Sequence, residues 1–343
     1  MLVVRPITMS DFQALHQCAI DSGHGFTSLP VNEDLLTRRI QHSEYSFAKQ
    51  DVTSPTDEGY LMVAFDSETN KIVGTTGIEA AVGWDHPFYS YHISTHVHSS
   101  RKLGVNKVVK LLTLDNNYTG CSELCTLFLQ PDYRQGLNGR FLSKCRLLML
   151  AQHPQRFSST IIAEMRGVSD SEGNSPFWMW LQKHFFDIDF TLADYLTGIG
   201  NKGFIADLMP KMPIYVNLLS DEAQAVIGVV HEYTRPALRL LEKEGFTCRN
   251  YVDIFDAGPT VECDLKNIES VRHSCELKVY ISDNHTVKKS PLFVANTKFE
   301  QFRAVLITSD YDLEAGYLVV NQEAADLLLV EDGDKVRVLV QLS

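Results

Sequence analysis

The sequence predicts an α/β fold with a β-rich C-terminal addition, and three observations carry the prediction. From Glu123 to Gln152, a β-prone apolar run (Leu124–Leu129) ends at Gln130-Pro131-Asp132. It then passes through a loop bearing Gly136 and Gly139 and enters a basic, Leu-rich helix. Residues 1–200 alternate strand-like and helix-like patterns. Residues 276–343 are instead rich in Val, Leu, Ile and Thr, with turn residues at short intervals.

Taken in order, Leu2–Pro6 reads as a short strand, and Ser10 as the N-cap of a helix running to about Asp21. Asn32 caps the next helix, to about Gln50. Tyr60–Phe65 and Lys71–Glu79 form a hairpin around Asp66–Asn70. After the strand–loop–helix segment, Thr160–Met165 is an apolar strand. Pro176–Phe185 is a helix whose Trp178 and Trp180 read as core. Ser220 caps a helix with Asp221 and Glu222 in its first turn, where the dipole favours acids, and His231 at its end. Thr234 caps another, with Pro236 near its start and Gly245 past its end. Val319–Leu328 holds a short helix after a strand, and Gly333–Val338 reads as the closing turn and strand of a small β-barrel. The expected domains are 1–265, with 200–260 as a helical extension, and 276–343.

Composition narrows the function. The 343 residues are 44% apolar and 22% charged, an ordinary globular balance. A net charge of −12 argues against nucleic acid, whose phosphates require a basic face. No apolar run reaches the roughly 18 residues of a membrane span. The first residues lack the pattern of a secretory signal. Seven scattered cysteines suggest reduced thiols in a cytoplasm, and Cys121 and Cys125 lack the second pair of a zinc site. His92, His96 and His98, with Asp85 and His86 near in sequence, form no complete ligand set, so no metal is expected.

A strand feeding a glycine-bearing loop that opens a helix is a physical device for holding phosphate. Backbone N–H groups face the ligand at the helix N-terminus, and the dipole favours an anion. Arg134 and Arg140 flank this loop with positive charge. The stretch resembles motif A of the GNAT acyl-CoA transferases, roughly (Q/R)-x-x-G-x-(G/A), which grips the pyrophosphate of coenzyme A. Here it reads Arg134-Gln135-Gly136-Leu137-Asn138-Gly139. Leu137 stands where the family has its first Gly, with Gly136 one place earlier. The resemblance assigns cofactor contacts to Arg134, Gly136, Asn138 and Gly139. It also implies a mixed, twisted sheet flanked by helices, with the small C-terminal β-barrel-like subdomain appended. Thr234 to Phe246 resembles GNAT motif B, but Leu241 replaces the Tyr that in many members protonates the leaving thiolate.

Further segments resemble one family, the arginine N-succinyltransferases. They include Gly25-Phe-Thr-Ser-Leu-Pro30, Asp85-His-Pro-Phe-Tyr89, Asn117 through Leu129 and Ala163-Glu-Met-Arg-Gly-Val168. Phe204-Ile-Ala-Asp-Leu-Met-Pro210, Gln224-Ala-Val-Ile-Gly228 and Tyr251 through Thr260 continue the series in the family's order. The resemblance implies transfer of a succinyl group from succinyl-CoA to L-arginine, without a prosthetic group or covalent enzyme intermediate. It implies His231 as proton donor and Leu127 as a succinyl-CoA contact. A guanidinium acceptor wants carboxylates, for which Glu123, Glu164, Asp253 and Asp256 are candidates. The succinyl carboxylate wants a cation, for which Arg166 is one. Related enzymes can be homo-oligomers, with the β subdomain as an interface. Ornithine as acceptor, and a non-catalytic module sensing CoA or arginine, are the rival readings.

Overall fold

The computed structural model describes residues 1–23, 29–84, 86–170, 173–188, 192, 208–282 and 290–341. Of the segments quoted above, residues 25–28, 85 and 204–207 lie outside these. The described strands are β1 (Leu2–Pro6), β2 (Gly59–Asp66), β3 (Lys71–Glu79), β4 (Ser90–Ser100), β5 (Val105–Asp115), β6 (Ser122–Leu129), β7 (Thr160–Glu164) and β8 (Ile214–Tyr215). They continue as β9 (Thr247–Val252), β10 (Pro259–Asp264), β11 (Cys275–Ile281), β12 (Ser290–Asn296), β13 (Ala304–Ser309), β14 (Tyr311–Asp312), β15 (Tyr317–Val320) and β16 (Lys335–Val340). They join in one mixed sheet, ordered β14-β15-β11-β16-β12-β13-β1-β2-β3-β6-β7-β10-β9-β4-β5-β8.

Strand β2 shows how the sequence builds the layers. Its side chains alternate between faces, as pleating requires. Tyr60, Met62 and Ala64 enter a core with Phe141, Leu142, Cys145 and Leu148 of helix α3 (Asn138–Gln152). Leu61 and Val63 face the other way, onto Leu15 of α1 (Phe12–Ser22) and Leu36 and Ile40 of α2 (Glu33–Ala48). Phe177, Trp178 and Leu181 of α4 (Pro176–Phe185) pack a third core against Tyr91, Val252 and Phe255. One face of strands β11 to β16 forms a further apolar core, while Phe293, Ala295, Ala304 and Leu339 on the other pack into the α3 core, and β13 pairs Val305 with Val3 of β1.

Asn32 caps α2, its side chain accepting the Leu35 N–H at 2.9 Å. Ser10 caps no helix. It lies inside a 3-10 turn, Met9–Asp11, and α1 starts only at Phe12. Asp11 fixes that turn by pairing with Arg5 at 2.7 Å and accepting the Thr8 N–H at 2.8 Å. Strands β4 and β5 form a long antiparallel ribbon that the sequence reading does not contain, apart from one face shared by His96 and His98. Those two rings lie 4.7 Å apart, while His92 packs on Tyr251 instead. The larger correction concerns His231. The helix capped by Ser220 spans only Asp221–Val226, and Gly228 then turns the chain at φ 72°. His231 lies beyond that turn, so it is not at the C-terminal end of that helix and gains nothing from its dipole there.

Candidate active site

The site grows out of the junction of β6 and β7. These strands run parallel but pair only at Ser122 with Ile161 and Glu123 with Ile162. Beyond that point the ladder stops, and the two strands part. On the other edge of β6, Gly77 pairs with Cys125 and Thr75 with Phe128. One extra residue is therefore inserted into β6. Thr126 takes it up at φ 53°, unusual for a β-branched residue. The bulge reverses the alternation: Leu124, Leu127 and Leu129 all face the α3 core, while Phe128 faces α1 and α2. Thr75 Oγ1 donates to the Thr126 carbonyl at 2.9 Å. From α3, the buried Arg146 guanidinium reaches the Cys125 carbonyl at 3.4 Å, with no carboxylate partner among the described residues. Leu127 thus sits on a bulge braced from both sides.

Behind the bulge, the 3-10 turn Pro131–Tyr133 leads to Gly136 at φ 55° and then to α3. The glycine one place early is the residue that takes the left-handed conformation, while Leu137 packs against the core. The departure from the family pattern therefore keeps a tight turn and adds an apolar anchor. Asn138 Nδ2 donates to the Tyr133 carbonyl at 3.1 Å, closing the loop. Arg134 Nε donates to the Leu129 carbonyl at 2.7 Å, leaving its Nη groups at the surface. The N–H groups of Gly139 and Arg140 have no acceptor within the first turn of the helix. A Cβ on Gly139 would meet no atom within 4 Å, so the backbone there stands open to a ligand. Gly139→Val should fill that space and raise KM for the acyl donor about tenfold, the order expected for a lost charge-assisted hydrogen bond. Because the space is open, thermal unfolding of this variant should match the parent. Steady-state kinetics beside a melting curve check both.

His231 stands across the opening between β6 and β7. Met165 donates its N–H to Pro259 at 3.0 Å, toward β10. Successive backbone groups alternate sides, so the Arg166 carbonyl points toward the opening. There it accepts the His231 N–H at 2.8 Å, and Gly167 bridges to Val230. The segment around His231 thereby extends the sheet into the gap left by the parting strands. Burial, and then the nearby Arg166 charge, hold the His231 imidazole below its usual 6.5. Tyr233 N–H donates to His231 Nδ1 at 3.3 Å, a contact that only the neutral ring can accept.

The carboxylates divide into two groups. Asp256 accepts N–H groups from Gly167 at 2.6 Å and Gly258 at 2.8 Å, and Asp253 accepts those of Phe255 and Asp256. Burial raises both carboxyls, and the charge of Asp253 raises Asp256 further. Both are committed to the turn that braces Gly167, so neither suits a substrate guanidinium. Glu123 and Glu164 are placed differently. Glu123 lies opposite Glu79 and beside Ile162, and Glu164 follows two residues along β7, so all three glutamates share one sheet face. Arg166 is also reassigned: its Nη2 donates to Ser169 Oγ at 2.8 Å, and its charge acts on His231. Glu79, Thr126, Gly167 and Gly258 escaped the sequence reading. The tandem glycines of Arg-Gly167 and Ala-Gly258 were the available signal.

A braced bulge on one of two parting parallel strands, an open helix N-terminus behind it and a neutral histidine across the gap are the parts an acyl-CoA-dependent acyltransferase needs. The chain belongs to the arginine N-succinyltransferase family: the profile of the arginine N-succinyltransferase beta subunit matches residues 2–270, and that of its C-terminal domain residues 273–339. It is 45% identical to the arginine N-succinyltransferases of Citrobacter koseri and of Escherichia coli strain K12, in each case over 99% of this chain and 97% of the relative. The solved structure of arginine/ornithine succinyltransferase subunit AI from Pseudomonas aeruginosa superimposes with a TM-score of 0.90 at 36% identity, covering 100% of this chain and 99% of that one. Among the described residues, no helix is long and apolar enough to cross a membrane.

Proposed function

We propose that the protein transfers the succinyl group of succinyl-CoA to the α-amine of L-arginine, giving N2-succinyl-L-arginine and CoA. The observation that carries this reading is the meeting of the β6 bulge, the open N-terminus of α3 and His231 at one gap, in a chain matched along its length by enzymes of that name. The pyrophosphate docks on Gly136, Asn138 and Gly139 with Arg134 beside it, and the thioester carbonyl reaches the Leu127 backbone. Attack by the amine makes a tetrahedral oxyanion, which a fixed backbone N–H stabilises as charge develops. On its way to the amide the ammonium loses two protons, one to solvent before attack and one from the tetrahedral adduct, and the departing thiolate must gain one. A neutral His231 takes the proton of the adduct and delivers it to the thiolate, so its proton-donor role follows proton uptake from the substrate. Burial pushes the Cys125 thiol up to about 12, which leaves it un-ionised at neutral pH and favours direct transfer. Glu123 and Glu164 offer carboxylates to the guanidinium. The seven free cysteines suit a reducing cytoplasm. We also read residues 1–265 and 276–343 as separate units.

Mass spectrometry of products from succinyl-CoA and L-arginine tests the reaction, with L-ornithine and acetyl-CoA as parallel substitutes. Succinylarginine is the expected product. Succinylornithine alone would change the acceptor, and no acyl product in any pairing would overturn the enzyme reading. The pH profile tests His231. Its neutral form does the work, so kcat/KM falls as pH drops through a value below the usual 6.5. Arg166→Gln removes one of the causes of that depression, so the acid limb should shift to higher pH while the burial contribution remains.

A further inference from the structure

A cleft of about 180 Å³ opens between α2 and the bulge of β6. Arg38, Arg39 and His42 form its helical wall, and Cys125 and Thr126 its rim. The reaction as described uses none of the three basic residues. Arg39 spends one N–H on Glu79 Oε1 at 3.3 Å. Arg38 is exposed and has no hydrogen-bond or ion-pair partner among the described residues. The floor is bare where β2 and β3 cross it. A Cβ on Gly77 would come within 3.2 Å of Cys125 Sγ, and one on Gly59 within 2.9 Å of Glu79 Oε2. Two glycines thus keep room for a ligand beneath two guanidinium groups.

We infer that this cleft is the subsite for the free carboxylate of a dicarboxylic acyl donor, with Arg38 and Arg39 as its counter-charges. The inference rests on the acyl-transfer reading above. Cys125 and Thr126 lead directly into the bulge where the thioester carbonyl docks, so an acyl chain a few carbons long reaches from the bulge into the cleft. Its far end is an anion whose solvation must be replaced, and planar guanidinium groups replace it with paired, charge-assisted bonds. The acceptor's α-carboxylate has the same chemistry but travels with a guanidinium and an ammonium. A wall of two arginines repels that cation and attracts the singly anionic acyl chain. Glu79, the one carboxylate lining the cleft among the described residues, is engaged by Arg39, and Glu123 and Glu164, which do not line it, serve the cation elsewhere on the same sheet face. The wall therefore also selects against acyl donors that end in a methyl group, because an apolar chain would take solvent from Arg38 and from the free N–H groups of Arg39 without replacing it.

The test is the ratio of kcat/KM for succinyl-CoA to that for butyryl-CoA, with L-arginine as acceptor, in the parent, Arg38→Gln, Arg39→Gln and Arg38→Lys. The ratio should fall about 10- to 100-fold in each glutamine variant, the range expected for one lost charged hydrogen-bond partner, and largely survive in the lysine variant. Measurable butyryl transfer reports that each variant is folded. An unchanged ratio would overturn the proposal. A raised KM for L-arginine at constant ratio, absent when agmatine replaces arginine, would show that the cleft holds the acceptor's carboxylate and would also overturn it. If the parent acylates arginine with neither donor, the reaction itself is wrong, which the same assay separates from failure of the subsite.

Discussion

His231→Ala is expected to lower kcat by about 10²- to 10⁴-fold, the usual contribution of a positioned acid–base group, with CoA affinity nearly unchanged. The reason lies in how the residue is held. Its position in the gap is fixed by a backbone bond, His231 N–H to the Arg166 carbonyl at 2.8 Å, and by the bridge between Gly167 and Val230. Alanine keeps both. The substitution therefore removes the imidazole without moving the segment, and the loop at Gly136 and Gly139, proposed to hold the pyrophosphate, belongs to a different element altogether. Steady-state kinetics and calorimetric titration with CoA separate the two effects. Added imidazole should restore part of the rate, because the cavity left by the ring faces the reacting groups. Full turnover in the alanine variant would remove His231 from the mechanism. Lost turnover with intact CoA binding would exclude a sensor that needs no chemistry.

Gly258→Ala should be the most damaging small substitution in the chain. A Cβ there would lie 2.1 Å from the Met165 carbonyl and 2.5 Å from the Gly167 nitrogen. Both are backbone atoms of the segment that carries Arg166, so neither can swing aside as a side chain would. Overpacking of this kind costs about 3 kcal/mol or more. Any relief moves Met165 to Gly167 away from β10, and the carbonyl that holds His231 moves with them. Stability and kcat should fall together. Gly139→Ala supplies the comparison, since its Cβ meets open space within 4 Å and its melting temperature should stay close to the parent's. Side-by-side thermal unfolding decides the point, and equal melting temperatures for the two variants would refute the packing argument.

Much of this was legible in the residues. The strand–loop–helix at Ser122–Leu129 and Asn138–Gln152, the helix Pro176–Phe185, the hairpin of β2 and β3, and the caps at Asn32 and Ser220 all follow from local chemistry. What escaped was set by distant partners. Leu124 to Leu129 is apolar except at Thr126, and a lone β-branched residue suits an ordinary strand, so its type does not mark it as the inserted one; only the register against β3 reveals it. The run after Ser220 reads as helix through His231, yet Gly228 and pairing with Gly167 end it early. The outer half of the β4–β5 ribbon is exposed on both faces, so it lacks the alternation that announces a strand. Arg38 and Arg39 read as an ordinary polar helix face until α2 is laid over the bulge.

The pairing of Val3 with Val305 ties β1 to a strand far along the sequence. During synthesis, β1 can zip onto β2 early, but its other edge stays bare until β13 has left the ribosome. A nascent chain halted before residue 304 thus carries an unsatisfied row of amides at the middle of its future sheet, a template for pairing with its neighbours on the same messenger. Pairing with β13 is what covers that edge, so order at the middle of the sheet waits on a strand made late.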